Sequence, residues 1–238
     1  MTVLVTGASS GIGFEIARAF AAAGNTVILN GRDPARLAAA VQVLQQYNVC
    51  GVCGDMSNYE TARGVFSQIE TAQGAVDVLV NNAGTAYFGL FSNMSPNAIT
   101  EVLNNNLQTA INASHLATPH MIRTKAGCII NITSMWGVVG ASCEVVYSVA
   151  KAGVIGLTKA LAKELGPSGI RVNAIACGAF DTRMNHRLTA EERAAFAEGI
   201  PLGRFGNPQE VGNLALFLAS PGASYLTGQI IGLDGGAV

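Results

Sequence analysis

The chain has 238 residues, a length suited to one α/β domain with a sizeable core. Half of the residues are hydrophobic, only 12% are charged, the net charge is −1 and the mean hydropathy is +0.36. No charge run or basic patch argues for a nucleic acid or an anionic membrane as partner, and no stretch reads as the roughly 18 or more apolar residues of a membrane helix.

Residues 3–5, Val-Leu-Val, form a short apolar run suited to a buried strand. Thr6-Gly7-Ala8-Ser9-Ser10-Gly11-Ile12-Gly13 follows, then an alanine-rich helical stretch from Phe14 to Ala23 that Gly24 ends. Thr26–Leu29 is the next apolar run. A glycine turn between a strand and a helix is the context for holding a dinucleotide: glycines let the backbone approach a pyrophosphate, and the helix N-terminus offers orphan N–H groups. The chain runs straight into this turn, so no signal peptide is expected and the cytoplasm is the expected location.

Val49–Cys53 reads as a third strand. Cys50-Gly-Val-Cys53 is formally a C-x-x-C, but strand positions three apart point to opposite faces and no second pair completes a zinc site. Ordinary free thiols are the reading. His115, His120 and His186 show no ligand spacing either, so no metal is expected. Further strand-like runs are Val76–Asn81, Gly127–Ser134, Arg171–Cys177 and Gln229–Leu233, with helical segments between most of them. That alternation predicts an α/β fold: a doubly wound, Rossmann-type parallel sheet of about seven strands with helices on both faces. Pro119, Pro167 and Pro208 are expected at helix ends, and without a linker the expectation is one domain over 1–238.

Tyr147 lies four residues before Lys151 in a stretch with apolar residues at helical spacing, so the two share a helix face. A cation beside a phenol favours the phenolate, which suits a tyrosine that donates and takes protons near neutral pH. Ser134 stands thirteen residues upstream of Tyr147.

Thr6-Gly7-x-x-x-Gly11-x-Gly13 with Tyr147-x-x-x-Lys151 resembles the short-chain dehydrogenases/reductases, and the resemblance runs along nearly the whole chain. Asn81-Asn82-Ala83-Gly84 resembles the motif that closes the family's fourth strand, Asn106-Leu107 the position of its catalytic asparagine, and Ile132-Thr133-Ser134 the strand end carrying its serine. Asn173–Gly178 with Asp181-Thr182 resembles its sixth-strand segment. Where the family usually has Pro-Gly this chain has Cys177-Gly178; cysteine frees a φ that proline would fix, so a looser loop is expected there.

The resemblance implies an oxidoreductase passing a hydride between NADP(H) and a carbonyl or secondary alcohol. Tyr147 would be the general acid/base, and Lys151 would lower its pKa and bond the nicotinamide ribose. Ser134 would hydrogen-bond the substrate oxygen, and Asn106 would hold a water-linked proton path. The implied cofactor contacts are Gly7, Ser9, Ser10, Gly11, Ile12 and Gly13 in the turn, Asp55 and Met56 beyond the third strand, then Asn82, Ala83, Gly84, Gly178, Phe180 and Thr182. Asp55 reads equally well as a helix cap before Asn58. A substrate lid over about 183–199 is implied, compatible with a surface helix over 189–198. The substrate wall is expected from Trp136, Val138, Val139, Cys143, Phe180 and Met184, with a polar contact at Glu144.

By family register the acid that selects NAD would stand at Gly31, where this chain has none, and Arg32 follows with a planar fork suited to a 2′-phosphate. Counting residues from the glycines lands instead on Asp33, which would favour NAD. Asp33-Pro34, however, reads as the N-cap and N1 of the next helix. NADP is therefore the expected cofactor, with NAD the alternative, and Ser10 adds no second positive charge. Within the family the resemblance points toward the 3-oxoacyl-carrier-protein reductases, which often carry basic residues near the start of the fifth strand to dock an acidic carrier. Here Arg123 and Lys125 are present but shifted. Polyol, sugar and hydroxysteroid dehydrogenases stay open. A sugar-nucleotide epimerase would usually differ in glycine spacing, and a non-catalytic nucleotide sensor would tend to lose Tyr147 or Lys151. A homotetramer, paired through long helices at 96–118 and 146–165, is implied as well.

Overall fold

The computed structural model describes residues 1–182 and 189–238. Seven strands form one parallel sheet in the order β3-β2-β1-β4-β5-β6-β7. They are β1 (Thr2–Val5), β2 (Thr26–Gly31), β3 (Val49–Cys53), β4 (Val78–Asn81), β5 (Gly127–Ser134), β6 (Ile170–Cys177) and β7 (Ile230–Leu233). Side-chain alternation explains why the central strands are apolar throughout. Val3, Val5, Val27, Leu29, Val80 and Ile130 pack toward α1 (Gly11–Ala22), α2 (Pro34–Val43) and α9 (Pro208–Ala219). Leu4, Ile28, Leu79 and Ile129 point the other way, toward α3 (Tyr59–Gln73), α5 (Thr109–Thr124) and α7 (Val145–Leu165). Each such fully buried side chain contributes about 1.5–3 kcal/mol.

Strand order reverses between β1 and β4, so a crevice opens at the carboxyl ends of these strands. α4 (Pro96–Leu103) runs into a π-turn, Asn104–Gln108, and on into α5. Such bulges widen the helix locally and turn side chains that a regular helix would point elsewhere. α6 (Met135–Val139) follows β5, and α8 (Ala190–Glu198) is opened by a capping box from Thr189 to Glu192.

Two sequence expectations are corrected. Pro119 does not end a helix but lies inside α5, which continues to Thr124. The proline cannot donate to the His115 carbonyl, and the Thr118 hydroxyl takes over that carbonyl at 3.1 Å and the Ser114 carbonyl at 2.7 Å. Segment Val145–Ser168 is also long and apolar enough to cross a membrane by length and composition. It contains α7, whose Ala150, Val154, Thr158 and Ala162 are buried in the protein.

Candidate active site

Thr6 ends the run of β1 and its hydroxyl accepts from the backbone N–H groups of Asn82 and Ala83, both at 3.0 Å. The Asn82 amide donates to the carbonyls of Thr6 at 2.9 Å and Gly7 at 3.1 Å. The glycine turn and the segment after β4 are thus stapled together. Only glycine fits here. Gly7 has φ +64, and a Cβ on it would stand 2.8 Å from Ala83 Cα; a Cβ on Gly13 would meet the Gly7 carbonyl at 2.6 Å and collide with the Asn82 amide. Ser10 is the N-cap of α1 but its side chain makes no capping hydrogen bond. The first turn of α1 therefore keeps N–H groups for a ligand.

Two adjoining hollows share Gly7, Ser10, Ala83, Gly84 and Thr85. The first, about 480 Å³, is lined by Gly11, Ile12 and Gly13, by Asn82 and Asn106, by Ser134, Tyr147 and Lys151, and by Gly178, Phe180 and Thr182. The second, about 350 Å³, lies beyond β2 and β3 and is lined by Ser9, Arg32, Asp55 and Met56. Every expected catalytic and cofactor-contacting residue borders one of these two spaces. A glycine cradle, an open helix start and a double hollow fit a dinucleotide. A third hollow of about 690 Å³ lies near α8 and α9, but its Arg193 is paired with Asp181 (3.1 Å), its Arg204 with Glu210 (2.7 Å), and none of the expected catalytic residues lines it.

Ser134 closes β5 and caps α6 by accepting from the Trp136 N–H at 3.1 Å. Lys151 is only 5% exposed; its Nζ donates to the Ile132 carbonyl at 3.0 Å and sits 5.7 Å from the centre of the Tyr147 ring. Gly137 lets α6 press on α7, since a Cβ there would stand 2.8 Å from the Lys151 carbonyl carbon. Asn106, on the π-turn, donates to the carbonyls of Thr85 at 2.8 Å and Val102 at 2.9 Å and accepts from the Thr85 N–H at 3.2 Å.

The electrostatics depart from the sequence expectation. Burial pushes the Tyr147 phenol above its ordinary value, the Glu144 carboxylate adds to that, and the Ser134 hydroxyl opposes it. Burial also brings Lys151 down to about 8. The structure thus holds Tyr147 in its protonated form, because desolvation outweighs a lysine that is itself desolvated. Cys177 is a neutral thiol, pushed by burial to about 12. It ends β6 in register with Ser134 and Leu233, and Gly178 N–H donates to the Leu233 carbonyl at 3.0 Å.

Asp33 caps α2, accepting from Ala35 at 3.0 Å and Arg36 at 3.1 Å, as Asp33-Pro34 predicts. Asp55 accepts from the Ser57 N–H at 2.9 Å, while Asn58 is the cap of α3. Of the expected substrate wall, Phe180 borders the first hollow; Trp136, Val138, Val139, Cys143 and Glu144 do not, and Val138 and Val139 are exposed. Met184 and His186 lie outside the described residues, as does the first part of the expected lid. Thr85, Asn105 and Cys177 border the hollows although the motifs do not mark Thr85 or Asn105. Cys50 and Cys53 are free thiols on β3. Arg123 and Lys125 are exposed at the amino end of β5, roughly 25 Å from Ser134 at 3.3 Å per strand residue.

A family model described as Enoyl-(Acyl carrier protein) reductase matches residues 7–238. The chain is 42% identical to the 3-oxoacyl-(acyl-carrier-protein) reductase FabG of Aquifex aeolicus, over 98% of this chain and 95% of that protein. It is 39% identical to the uncharacterized oxidoreductase YmfI of Bacillus subtilis, over 99% of this chain and 98% of that one. A crystal structure described as a putative gluconate dehydrogenase from Agrobacterium tumefaciens superposes with a TM-score of 0.96 at 34% identity, covering 99% of this chain and 95% of that chain. With its glycine cradle, its Ser134–Tyr147–Lys151 site and these full-length likenesses, the chain belongs to the short-chain dehydrogenase/reductase family of oxidoreductases.

Proposed function

We propose that this protein is an NADP(H)-dependent carbonyl reductase, working on a ketone of the 3-oxoacyl thioester class. The observation that carries the reading is the convergence of Ser134, Tyr147, Lys151 and Asn106 on the hollow that the glycine cradle opens into. When bound, the nicotinamide supplies or accepts the hydride. The protein's own groups do the rest. Ser134 hydrogen-bonds the substrate oxygen and steadies the charge that grows there. Tyr147, held protonated by burial, donates its proton to that oxygen. The Lys151 ammonium stabilises the phenolate left behind, and Asn106 stays fixed by Thr85 and Val102. A protonated phenol suits reduction more than oxidation. The substrate class follows the names of the carrier-protein reductases that the chain resembles. A sugar-acid substrate, as the putative gluconate dehydrogenase suggests, is the second reading.

Arg32 carries the cofactor choice. With Asp33 committed to capping α2, the acid that would accept a ribose 2′-hydroxyl is missing from this strand end. Arg32→Ala is expected to lower kcat/KM for NADPH by about tenfold or more while sparing NADH, since charge-assisted bonds to phosphate are the strong ones. A better rate with NADH in the wild type, or an NADPH preference untouched by Arg32→Ala, would contradict the assignment.

A homotetramer in the cytoplasm belongs to the same reading. The long helices proposed to pair expose Ile111, Val145 and Val149, and α7 is packed as a core helix. Light scattering is expected to give a tetramer, and a monomer at micromolar concentration would contradict it.

A further inference from the structure

The second hollow contains a latch that catalysis does not use. Arg32 reaches from the end of β2 to the π-turn, where its Nη1 donates to Asn105 Oδ1 at 2.9 Å. The Asp55 carboxylate stands 3.6 Å from the same nitrogen. Neither Nε nor Nη2 of Arg32 has a hydrogen-bond partner among the described residues. Asn105 is only 6% exposed, and its own Nδ2 donates to the Thr85 hydroxyl at 3.4 Å. Its neighbour Asn106 grips the backbone of Thr85 from both sides. A buried amide on a well-tied turn therefore fixes one corner of a half-exposed guanidinium and leaves the other edge of the fork open.

Asp55 competes for that guanidinium. Burial pushes its carboxyl up, but hydrogen bonds from Ser57 and the charge of Arg32 outweigh this and hold it below the ordinary value. It is therefore an anion at neutral pH. An arginine drawn fully onto Asp55 would spend its fork and much of its charge on a carboxylate. Asn105 holds Arg32 without neutralising it, because its acceptor is uncharged.

We propose that Asn105 is a positioning residue that keeps Arg32 from closing its whole fork onto Asp55 and aims its open edge at a 2′-phosphate, so that cofactor choice is set by the Arg32–Asn105 pair. The inference rests on the NADP(H) reading above. Its test is ligand binding to the full chain, measured by fluorescence titration with NADPH and NADH and by competition with 2′,5′-ADP and 5′-AMP. Asn105→Leu keeps the bulk and removes the acceptor; Asn105→Asp keeps the shape and adds a charge that neutralises Arg32. Each variant is expected to lose about tenfold in affinity for NADPH and for 2′,5′-ADP, with NADH and 5′-AMP shifted by less than about twofold. An equal loss for all four ligands would mean a merely structural role and would overturn the proposal. So would a wild-type NADPH preference that survives in both variants, which leaves the cofactor reading standing. A wild-type preference for NADH would overturn both.

Discussion

Tyr147→Phe is expected to lower turnover by about 10²–10⁴-fold, the range that a positioned acid–base group supplies, with cofactor affinity nearly intact. The ring of Tyr147 packs against a small cluster of Met94, Val102 and Val146, and phenylalanine keeps those contacts. The change therefore removes a proton and an oxygen and little else. The hydroxyl is the atom that faces the substrate oxygen in the proposed mechanism, with Ser134 beside it and Lys151 on the same helix face. Steady-state turnover together with a cofactor titration reads both halves of the expectation. Near-full turnover in the Phe variant would remove Tyr147 from the chemistry, and lost cofactor binding would make the effect structural.

Lys151→Met is expected to damage both turnover and cofactor affinity, and that combination separates it from Tyr147→Phe. The loss in turnover is expected to be about 10²–10³-fold, as for other single groups that stabilise developing charge. Lys151 is buried, and methionine fills most of its volume without an ammonium. Its pH behaviour gives a second readout. Burial brings Lys151 down to about 8 from the 10.5 of a free lysine. Wild-type turnover that depends on the ammonium falls as pH rises through about 8, and the Met variant lacks that limb. Stability moves the other way. Between the folded value and the unfolded one the unfolded chain binds more protons, so the penalty of burying the cation, full below about 8, fades as pH climbs toward 10.5. A Met variant within a few-fold of wild-type turnover would contradict the role of Lys151.

The parts of the molecule that depend on local pattern are legible in the amino-acid sequence. The glycine turn, the seven strands, the capping of α2 by Asp33 and the i,i+4 relation of Tyr147 and Lys151 all follow from spacing, propensity and turn chemistry. What escapes such reading depends on distant contacts. No spacing rule brings Arg32 to Asn105, which is 73 positions away. The helix continues through Pro119, where one threonine hydroxyl serves two carbonyls and the flanking Ala117 and Met121 are buried. The Tyr147 phenol is raised although a lysine lies four residues on, because desolvation is a property of the packed site and not of the sequence interval. The exposure of Val138 and Val139 on α6 is likewise set by packing and not by their place just after β5.

The most direct test is NADPH consumption by the purified wild-type protein and by Tyr147→Phe with a panel of carbonyl compounds. The panel should include a 3-oxoacyl thioester, a sugar-derived ketone and a steroid ketone. Consumption by the wild type with the thioester, abolished or nearly so in the variant, is the predicted result. Tight NADPH binding with no turnover on any carbonyl would contradict the account and make the chain a nucleotide-binding protein on an enzyme's fold.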